Sequence, residues 1–386
     1  MGNISTFDRQ RKKRQMQKAV KQTAAMVTIA VLAIAAILTY NTLYDMDVGS
    51  QAINFISSLR PGGGFPVAVD SGSEAVLLPL EEDVAVVTKT RTVLYNSRGA
   101  QLASWLNTYV NPVAEAAGGK LLTYDLGGKS YRVDNKNTKI IEEQLPNPIQ
   151  TAALSESGIY AVTEERKNQS SRVTVYSARG EPMYRWDTSD CQVYLLSLSR
   201  DGSRFAAGGA TVKAGQVVSQ LHFHELSMDE EAGMAEIPDE LLLSVVYNRD
   251  GNLQVITDRS LRLYSSTGRE LGMAEYQGTV SHFVNAPEGM VYLATGSDRS
   301  AAGKTVTAYR MGRGMEGQNS YTTARPIITM QYDGSRLLIL TDSSLYLANS
   351  SLSQVKDRRR SDLSYICGVN GSIYGITSEG LVKEHL

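Results

Sequence analysis

A unit of about 40–45 residues repeats along most of this chain, and this repeat constrains the fold more than any other feature of the sequence. Residues Val87–Gly99 align without gaps on Ile256–Gly268. Leu340–Leu345 repeats the first half of that segment, and Val175–Gly180 repeats the second half. Each copy consists of short runs rich in Val, Ile, Leu, Tyr and Thr between tight polar turns, which is the pattern of β-strands joined by hairpins. The body of the chain is therefore predicted to be all-β.

The number of units follows from the turns that precede the second strand of each unit. Successive turns of this kind are separated by 36, 39, 44, 49, 38, 45 and 37 residues. Their markers are Asp83, Gly119, Gly158, Gly202, Gly251, Gly289, Gly334 and Gly371. Four short strands at this spacing are typical of a propeller blade, whereas solenoid repeats are shorter or helical and sandwiches do not repeat at this period. The sequence predicts a β-propeller of eight blades, with seven blades as the alternative.

The two ends of the repeat region predict how the ring closes. The last unit has three candidate strands before the chain ends, and an unassigned strand at residues 65–69 precedes the first unit. Pairing of strand 65–69 with the C-terminal strands would complete the last blade and remove the exposed edges of an open sheet. The propeller domain is therefore predicted to span residues 65–386.

The N-terminal segment is predicted to anchor the chain in a membrane. Residues 1–21 form a basic tail, and residues 22–44 contain no charged residue. A helix of that length spans about 34 Å, which is enough to cross a bilayer. The basic tail favours a cytoplasmic N-terminus and an extracytoplasmic propeller, with residues 45–64 as a linker. A cleaved signal peptide is the alternative, although its apolar region is usually only about 7–15 residues long.

The chain resembles WD-repeat-like and quinoprotein-like propellers, and more closely a bacterial family of membrane-anchored propellers of unknown function. The resemblance covers the whole chain and depends on the basic tail, the anchor, Gly62–Pro66, Leu94–Gly99 and Leu122–Asp125. It implies a bacterial envelope protein with the topology described above. It implies no activity and no cofactor.

No motif in the sequence predicts catalysis, a metal or a cofactor. The recurrent Asp-Gly pairs are interpreted as two-residue hairpin turns in which both residues take positive φ. His222 and His224 share one face of a strand and could bind a metal together, but a half-exposed structural strand is the favoured interpretation. Cys191 and Cys367 fall in the fourth and eighth units, on opposite sides of the ring, so they are predicted to be free thiols. With 39 Lys and Arg against 40 Asp and Glu, the charge also argues against nucleic acid as a partner.

One face of the predicted propeller carries the longest loops. The turn between the second and third strands expands at residues 164–171, 208–216 and 296–304, and in propellers these turns share a face with the crossings between blades. Loop elaboration on one face of a rigid ring favours binding at that face. The candidate partner-binding rim consists of charged residues at these loops and at one crossing: Glu164, Glu165, Arg166, Lys167, Lys213, Asp298, Arg299, Lys304, Arg358, Arg359 and Arg360.

These features predict a non-catalytic, single-pass membrane protein whose propeller binds or organises a protein partner in the bacterial cell envelope. The lipid bilayer is the partner predicted for residues 22–44. A receptor for a small molecule or glycan in the central channel is the alternative function, and a propeller hydrolase is a third.

Overall fold

The computed structural model describes residues 60–69, 75–167, 171–296, 303–312, 314–315 and 317–384, all within the unit Arg60–Leu386. The predicted tail, the predicted transmembrane helix and most of the predicted linker lie outside these residues. Within the described ranges, no helix is long and apolar enough to cross a membrane.

The described chain forms 31 β-strands. The strands of blades 1 to 4 are β1 (Val76–Leu80), β2 (Asp83–Val87), β3 (Arg91–Tyr95), β4 (Gln101–Leu106), β5 (Pro112–Ala117), β6 (Lys120–Asp125), β7 (Ser130–Asn135), β8 (Lys139–Gln144), β9 (Ile149–Leu154), β10 (Tyr160–Glu165), β11 (Ser171–Tyr176), β12 (Pro182–Thr188), β13 (Gln192–Leu198), β14 (Arg204–Lys213), β15 (Gln216–Glu225) and β16 (Gly233–Pro238). Those of blades 5 to 8 are β17 (Leu242–Tyr247), β18 (Leu253–Thr257), β19 (Ser260–Tyr264), β20 (Glu270–Glu275), β21 (Thr279–Ala286), β22 (Met290–Gly296), β23 (Thr305–Arg310), β24 (Gly317–Thr322), β25 (Ile327–Tyr332), β26 (Arg336–Thr341), β27 (Ser344–Asn349), β28 (Val355–Arg359), β29 (Tyr365–Val369), β30 (Ser372–Thr377) and β31 (Gly380–Glu384).

These strands make eight sheets, and neighbouring strands in every sheet are consecutive in the chain and antiparallel. Seven sheets have four strands, and the last sheet has three, β29–β30–β31. This arrangement is a β-propeller of eight blades and confirms the prediction of eight blades over seven.

Eight hydrophobic clusters hold the ring together, one between each pair of neighbouring blades. The second strands contribute most, because they are covered on both faces: all five residues of β2 are buried. Outer strands are covered on one side only, and in β28 four of the five residues are exposed. Burial therefore follows the position of a strand within its blade.

The ring is closed by a contact between the two ends of the described chain. Val67 donates to the Leu381 carbonyl at 2.9 Å, and Leu381 donates to the Val67 carbonyl at 2.8 Å. This is an isolated antiparallel bridge and not a fourth full strand. Phe65 packs against Tyr374 with ring centroids 5.5 Å apart, in the cluster that joins blades 8 and 1.

The Asp-Gly turns differ from the predicted two-residue geometry. Gly202 and Gly251 have φ of 73° and 76°, but the aspartates before them do not take positive φ. The reason is a longer turn, in which Gly202 donates to the Ser199 carbonyl at 2.9 Å and Asp201 Oδ1 accepts from the Ser203 amide at 3.1 Å. Among the Asp-Gly and Asn-Gly pairs of the described residues, only Asn370–Gly371 has positive φ at both residues, 45° and 77°. The aspartates are turn-forming residues in this structure.

The two faces of the disc differ in what they carry. One face, here called the crossing face, holds the turns between second and third strands and the connections between blades. The other, the N-terminal face, holds the remaining turns and the first described residues. The Arg60 carbonyl accepts from Asn96 Nδ2 at 2.8 Å, and Gly64 donates to the Arg98 carbonyl at 3.1 Å, so the chain joins the propeller at the turn between β3 and β4.

Candidate functional site

The predicted rim residues differ in how far their side chains are exposed to solvent. Asp298 and Arg299 lie outside the described residues. Glu165, Lys167, Lys213, Arg358 and Arg359 are exposed at or beside the crossing face, and Arg166 and Lys304 are half-buried there.

Glu164 and Arg360 are engaged inside the propeller's own structure. Glu164 is only 5 % exposed, and its Oε1 accepts from Asn147 Nδ2 at 3.2 Å. Arg360 forms ion pairs with Asp362 at 2.9 Å and with Glu384. Its pairing with Glu384 ties blade 7 to the last strand of blade 8. Both side chains are therefore already occupied by contacts within the propeller.

The predicted loop at residues 208–216 is an extended β-hairpin. Strands β14 and β15 pair continuously from Arg204–Glu225 to Lys213–Gln216, and only Ala214 and Gly215 form the turn. Both turn residues have positive φ, 50° and 81°, as a tight turn of this kind requires. The expectation of an irregular loop was wrong because the residues after Gly208 and Gly209 still find cross-strand partners. Blade 4 therefore has a rigid extension on the crossing face.

Exposed apolar side chains occur at two places on the crossing face, in blades 1 and 2 and in blade 4 with the crossing to blade 5. Six of the twelve exposed large hydrophobic side chains in the described ranges lie there: Leu106, Val110, Leu126, Val212, Val217 and Leu241. Val212 and Val217 are a cross-strand pair at the tip of the blade 4 extension and are 68 % and 45 % exposed. Beside them, Lys213 pairs with Glu236 of the neighbouring strand. An apolar centre with a charged edge is the usual composition of a protein-binding patch.

The central channel has a cavity of about 220 Å³ near the N-terminal face. Its walls combine apolar side chains with polar and charged ones, and Tyr247 and Gln254, which line it, are both more than nine-tenths buried. The Tyr247 hydroxyl and Gln254 Nε2 have no hydrogen-bond partner in the described part of the chain. On the opposite wall, Glu115 accepts from the Leu154 amide at 3.1 Å, and burial raises the pKa of its carboxyl to about 7. Arg200 and Arg249 stand at the edge of the cavity, each paired with a glutamate.

The strand that carries the two histidines is buried, so the expectation of a half-exposed strand was wrong. His222 and His224 are 4 % and 1 % exposed, because β12 of blade 3 packs over β15 of blade 4. Trp186 on β12 lies against both rings, with centroid distances of 4.9 and 4.6 Å. His224 also stacks on Phe205 at 4.5 Å.

His222 joins two groups that are distant in sequence. Its Nε2 lies 3.4 Å from Cys191 Sγ, and its Nδ1 lies 2.8 Å from Glu231 Oε1. Because the two partners contact opposite nitrogens of the ring, these three side chains cannot share one metal ion. No group of three such side chains suited to a metal occurs within the described ranges. The contact was not predicted, since 31 residues separate Cys191 from His222 in the sequence and only the pairing of β13, β14 and β15 within blade 4 brings them together.

The fold places this chain in the class of eight-bladed β-propellers with WD40-like architecture. It is similar to the C-terminal WD40 domain of Sif2, with a TM-score of 0.57 and 11 % identity over 80 % of this chain and 94 % of that one. It is also similar to BamB from Moraxella catarrhalis, with a TM-score of 0.50 and 12 % identity over 82 % of this chain and 97 % of that one. At these identities the likeness shows the fold alone.

Residues 42–372 match the family of unknown function DUF5711, and the chain belongs to this family. No curated protein matches the chain.

Proposed function

We propose that this chain is a non-catalytic, membrane-anchored propeller that binds other proteins in the bacterial cell envelope through its crossing face. The observation that supports this function is the exposed Val212–Val217 pair at the tip of the blade 4 extension on that face. The exposed side chains of Val212 and Val217 lower the solubility of the protein and contribute nothing to its core. A partner that covers them would remove this apolar surface from water.

The blade 4 extension is the centre of the proposed surface. Its ladder is continuous to the tip, so Val212 and Val217 are held in a fixed position before any partner arrives. A preorganised surface loses little conformational entropy on binding. The exposed charges of Glu165, Lys167 and Lys213 lie on the same face and suit the polar rim of such an interface.

The point at which the chain joins the propeller supports the same surface. The chain joins the propeller on the N-terminal face through residues 60–64. Residues 60–64 therefore leave the crossing face uncovered. The basic tail favours a cytoplasmic N-terminus, which would place the propeller outside the cytoplasm.

In-cell photo-crosslinking tests the binding surface. A photoreactive amino acid is placed at Val217 in one strain and at Met228 in another, because both side chains are 45 % exposed and Met228 lies on the N-terminal face. We expect Val217 to yield a discrete crosslinked protein that Met228 does not. The same crosslinks from both positions, or none from Val217 at equal expression, would contradict the proposal.

Alkaline phosphatase fused after residue 386 tests the topology separately. The enzyme is active only outside the cytoplasm, so we expect an active fusion that sediments with membranes. A fusion that is inactive, or one that is released in soluble form, contradicts the anchored topology but leaves the crosslinking result independent.

A receptor for a small polar molecule is a second candidate function. It is favoured by the Tyr247 hydroxyl and Gln254 Nε2, which are buried beside the channel cavity without partners in the described chain. Leaving such groups unpaired costs about 1–3 kcal/mol each, which a ligand with its own donors and acceptors could recover.

Ligand-observed NMR with glucose, N-acetylglucosamine and glycine as probes tests the receptor function. We expect saturation transfer to at least one probe in the wild type and its loss in Gln254→Met, which keeps the size of the side chain. No transfer to any probe at millimolar concentration, or transfer unchanged by the substitution, would reject this candidate.

A further inference from the structure

Cys191, His222 and Glu231 form a line of hydrogen-bonded groups between blades 3 and 4. The thiol of Cys191 contacts one nitrogen of the imidazole, and the carboxylate of Glu231 contacts the other. This is the order nucleophile, base and orienting acid that activates thiols in proteins. We propose that Cys191 is a reactive thiolate, formed by proton transfer to His222, and that hydroperoxides oxidise it.

The distances place both partners of His222 within hydrogen-bond range, as the proposed proton transfer requires. The separation of 3.4 Å between Cys191 Sγ and His222 Nε2 is normal for a hydrogen bond to sulfur, and the 2.8 Å to Glu231 is normal for a charged pair. Glu231 fixes the ring and balances the positive charge that His222 gains. Burial alone would lower the pKa of His222, but the hydrogen bonds with Cys191 and Glu231 raise it to about 9.

Three further titratable groups interact with this line. His224 lies on the same strand as His222, and burial lowers its pKa to about 4, so it stays neutral at physiological pH. Glu236 on β16 has its pKa lowered by hydrogen bonds with Lys213 and Gln220, with a smaller contribution from the charge of His222. Tyr194 on β13 has its pKa raised by burial, with a small contribution from Cys191. None of these groups competes for the proton that passes from Cys191 to His222.

Cys367 is a matched reference in the same chain. Both thiols are buried, at 3 % exposure for Cys191 and 0 % for Cys367. The Cys367 thiol has only the Gly368 carbonyl as acceptor, at 3.9 Å, and burial raises its pKa to about 12. A difference in reactivity between the two thiols therefore reports on His222 and Glu231, because burial is nearly equal.

A groove of about 590 Å³ lies on the crossing face of blade 3. Thr188 and Ser189, two and three residues before Cys191 in the sequence, line it, as do Arg166 and Ser171. Ser171 accepts from the Val193 amide at 3.0 Å, which connects the groove to the strand after Cys191. A molecule as small as hydrogen peroxide fits the limited exposure of the sulfur, whereas a peptide does not.

The reaction is a two-electron oxidation of sulfur. The thiolate attacks one oxygen of the hydroperoxide, a sulfur–oxygen bond forms and the oxygen–oxygen bond breaks. The leaving hydroxide or alkoxide takes the proton held on His222 and departs as water or alcohol, leaving a sulfenic acid on Cys191. The only other cysteine of the sequence, Cys367, lies in blade 8 across the ring from blade 4, so no disulfide within the chain consumes this product.

Differential alkylation of the full-length chain in detergent tests the proposal. The folded protein is exposed to hydrogen peroxide, quenched with catalase, unfolded in urea and alkylated, and mass spectrometry measures the thiol remaining at each cysteine. We expect Cys191 to be oxidised at least about 100-fold faster than Cys367 at pH 7. Equal rates for the two thiols would overturn the proposal, and this comparison requires no variant.

Glu231→Gln separates activation from a merely structural contact. Glu231 is partly exposed, so the fold should tolerate the amide, which circular dichroism and the melting temperature verify. Loss of one charge-assisted hydrogen bond should slow oxidation of Cys191 at pH 7 about tenfold and shift its pH profile upward, with Cys367 unchanged. An unchanged Cys191 rate in a folded Glu231→Gln variant would overturn the role of the His222–Glu231 pair.

Discussion

His224 is expected to make the propeller sensitive to acid. The ring is 1 % exposed, stacks on Phe205 and accepts or donates one hydrogen bond with the Tyr184 hydroxyl at 3.2 Å. Its other nitrogen has no partner in the described part of the chain. Burial is the main reason that its pKa is lowered to about 4; the charge of Glu231 opposes this effect, and the charge of His222 adds a smaller lowering contribution.

The sign of the effect follows from comparing folded and unfolded chains. Below pH 6.5 the unfolded chain binds a proton at residue 224, but the folded chain does not until pH falls to about 4. Stability is therefore lost as pH falls through this window, by about 3 kcal/mol in total at about 1.4 kcal/mol per pKa unit. His222 has a raised pKa, so its contribution is constant below pH 6.5 and is lost only as pH rises towards 9. It does not mask the acid effect.

The substitution His224→Phe removes the titration and keeps an aromatic ring against Phe205. Urea unfolding of variant and wild type between pH 7 and 4.5, followed by tryptophan fluorescence, measures the change, since Trp186 lies 4.6 Å from the ring. As the pH falls over this range, the free energy of unfolding of the variant should rise by about 2–3 kcal/mol relative to that of the wild type. Tyr184→Phe, which loses the same hydrogen bond but keeps His224, is the control and should parallel the wild type. A His224→Phe profile parallel to the wild type would refute the argument.

Three further substitutions test the packing of the ring. Arg132→Met leaves the buried Asp134 without its 2.6 Å partner and should cost about 3–5 kcal/mol of unfolding free energy in urea titrations, most of which the additional change Asp134→Leu should restore. Leu381→Ala, at the closing contact, should cost about 2–5 kcal/mol, and an unchanged melting temperature would show that closure does not stabilise the ring. Gly118→Ala places a Cβ 1.9 Å from a backbone carbonyl of the next blade. It should lower the melting temperature more than Gly127→Ala, which has positive φ but open space, and equal effects would exclude the clash as the cause.

The blade count could be predicted from the sequence because its signal is local. A tight turn needs particular residues wherever it occurs, so the glycine markers repeat along the chain with the blades. The residue types in a turn say less about the geometry of that turn. For this reason the turn at Asp201–Gly202 was predicted to be shorter than the turn in the structure. The extension after Gly208 was read as a loop for the same reason, since two glycines usually interrupt a strand.

Contacts between blades could not be predicted, because they depend on which faces of distant strands meet. Glu164 was chosen for the rim by its charge, but Asn147 at the neighbouring crossing binds and buries it. His222 and His224 were expected to be half-exposed, since strand alternation places residues on faces but does not show what covers a face. Cys191 and His222 both belong to blade 4, but 31 residues separate them in the sequence, so their contact could not be predicted either.

Blade 4 differs from the other blades in carrying both the rigid extension and the activated thiol. Val217 and His222 lie on the same strand, β15, which pairs without a break from the exposed tip to the buried ring. Proteins pack too densely for a sulfur to gain an oxygen without displacing its neighbours. Oxidation of Cys191 and binding of a partner to the extension would therefore both act on β15. Each event would shift the position of β15 and so change how favourable the other event is. This connection gives a physical reason for a buried reactive thiol in a protein whose proposed role is to bind.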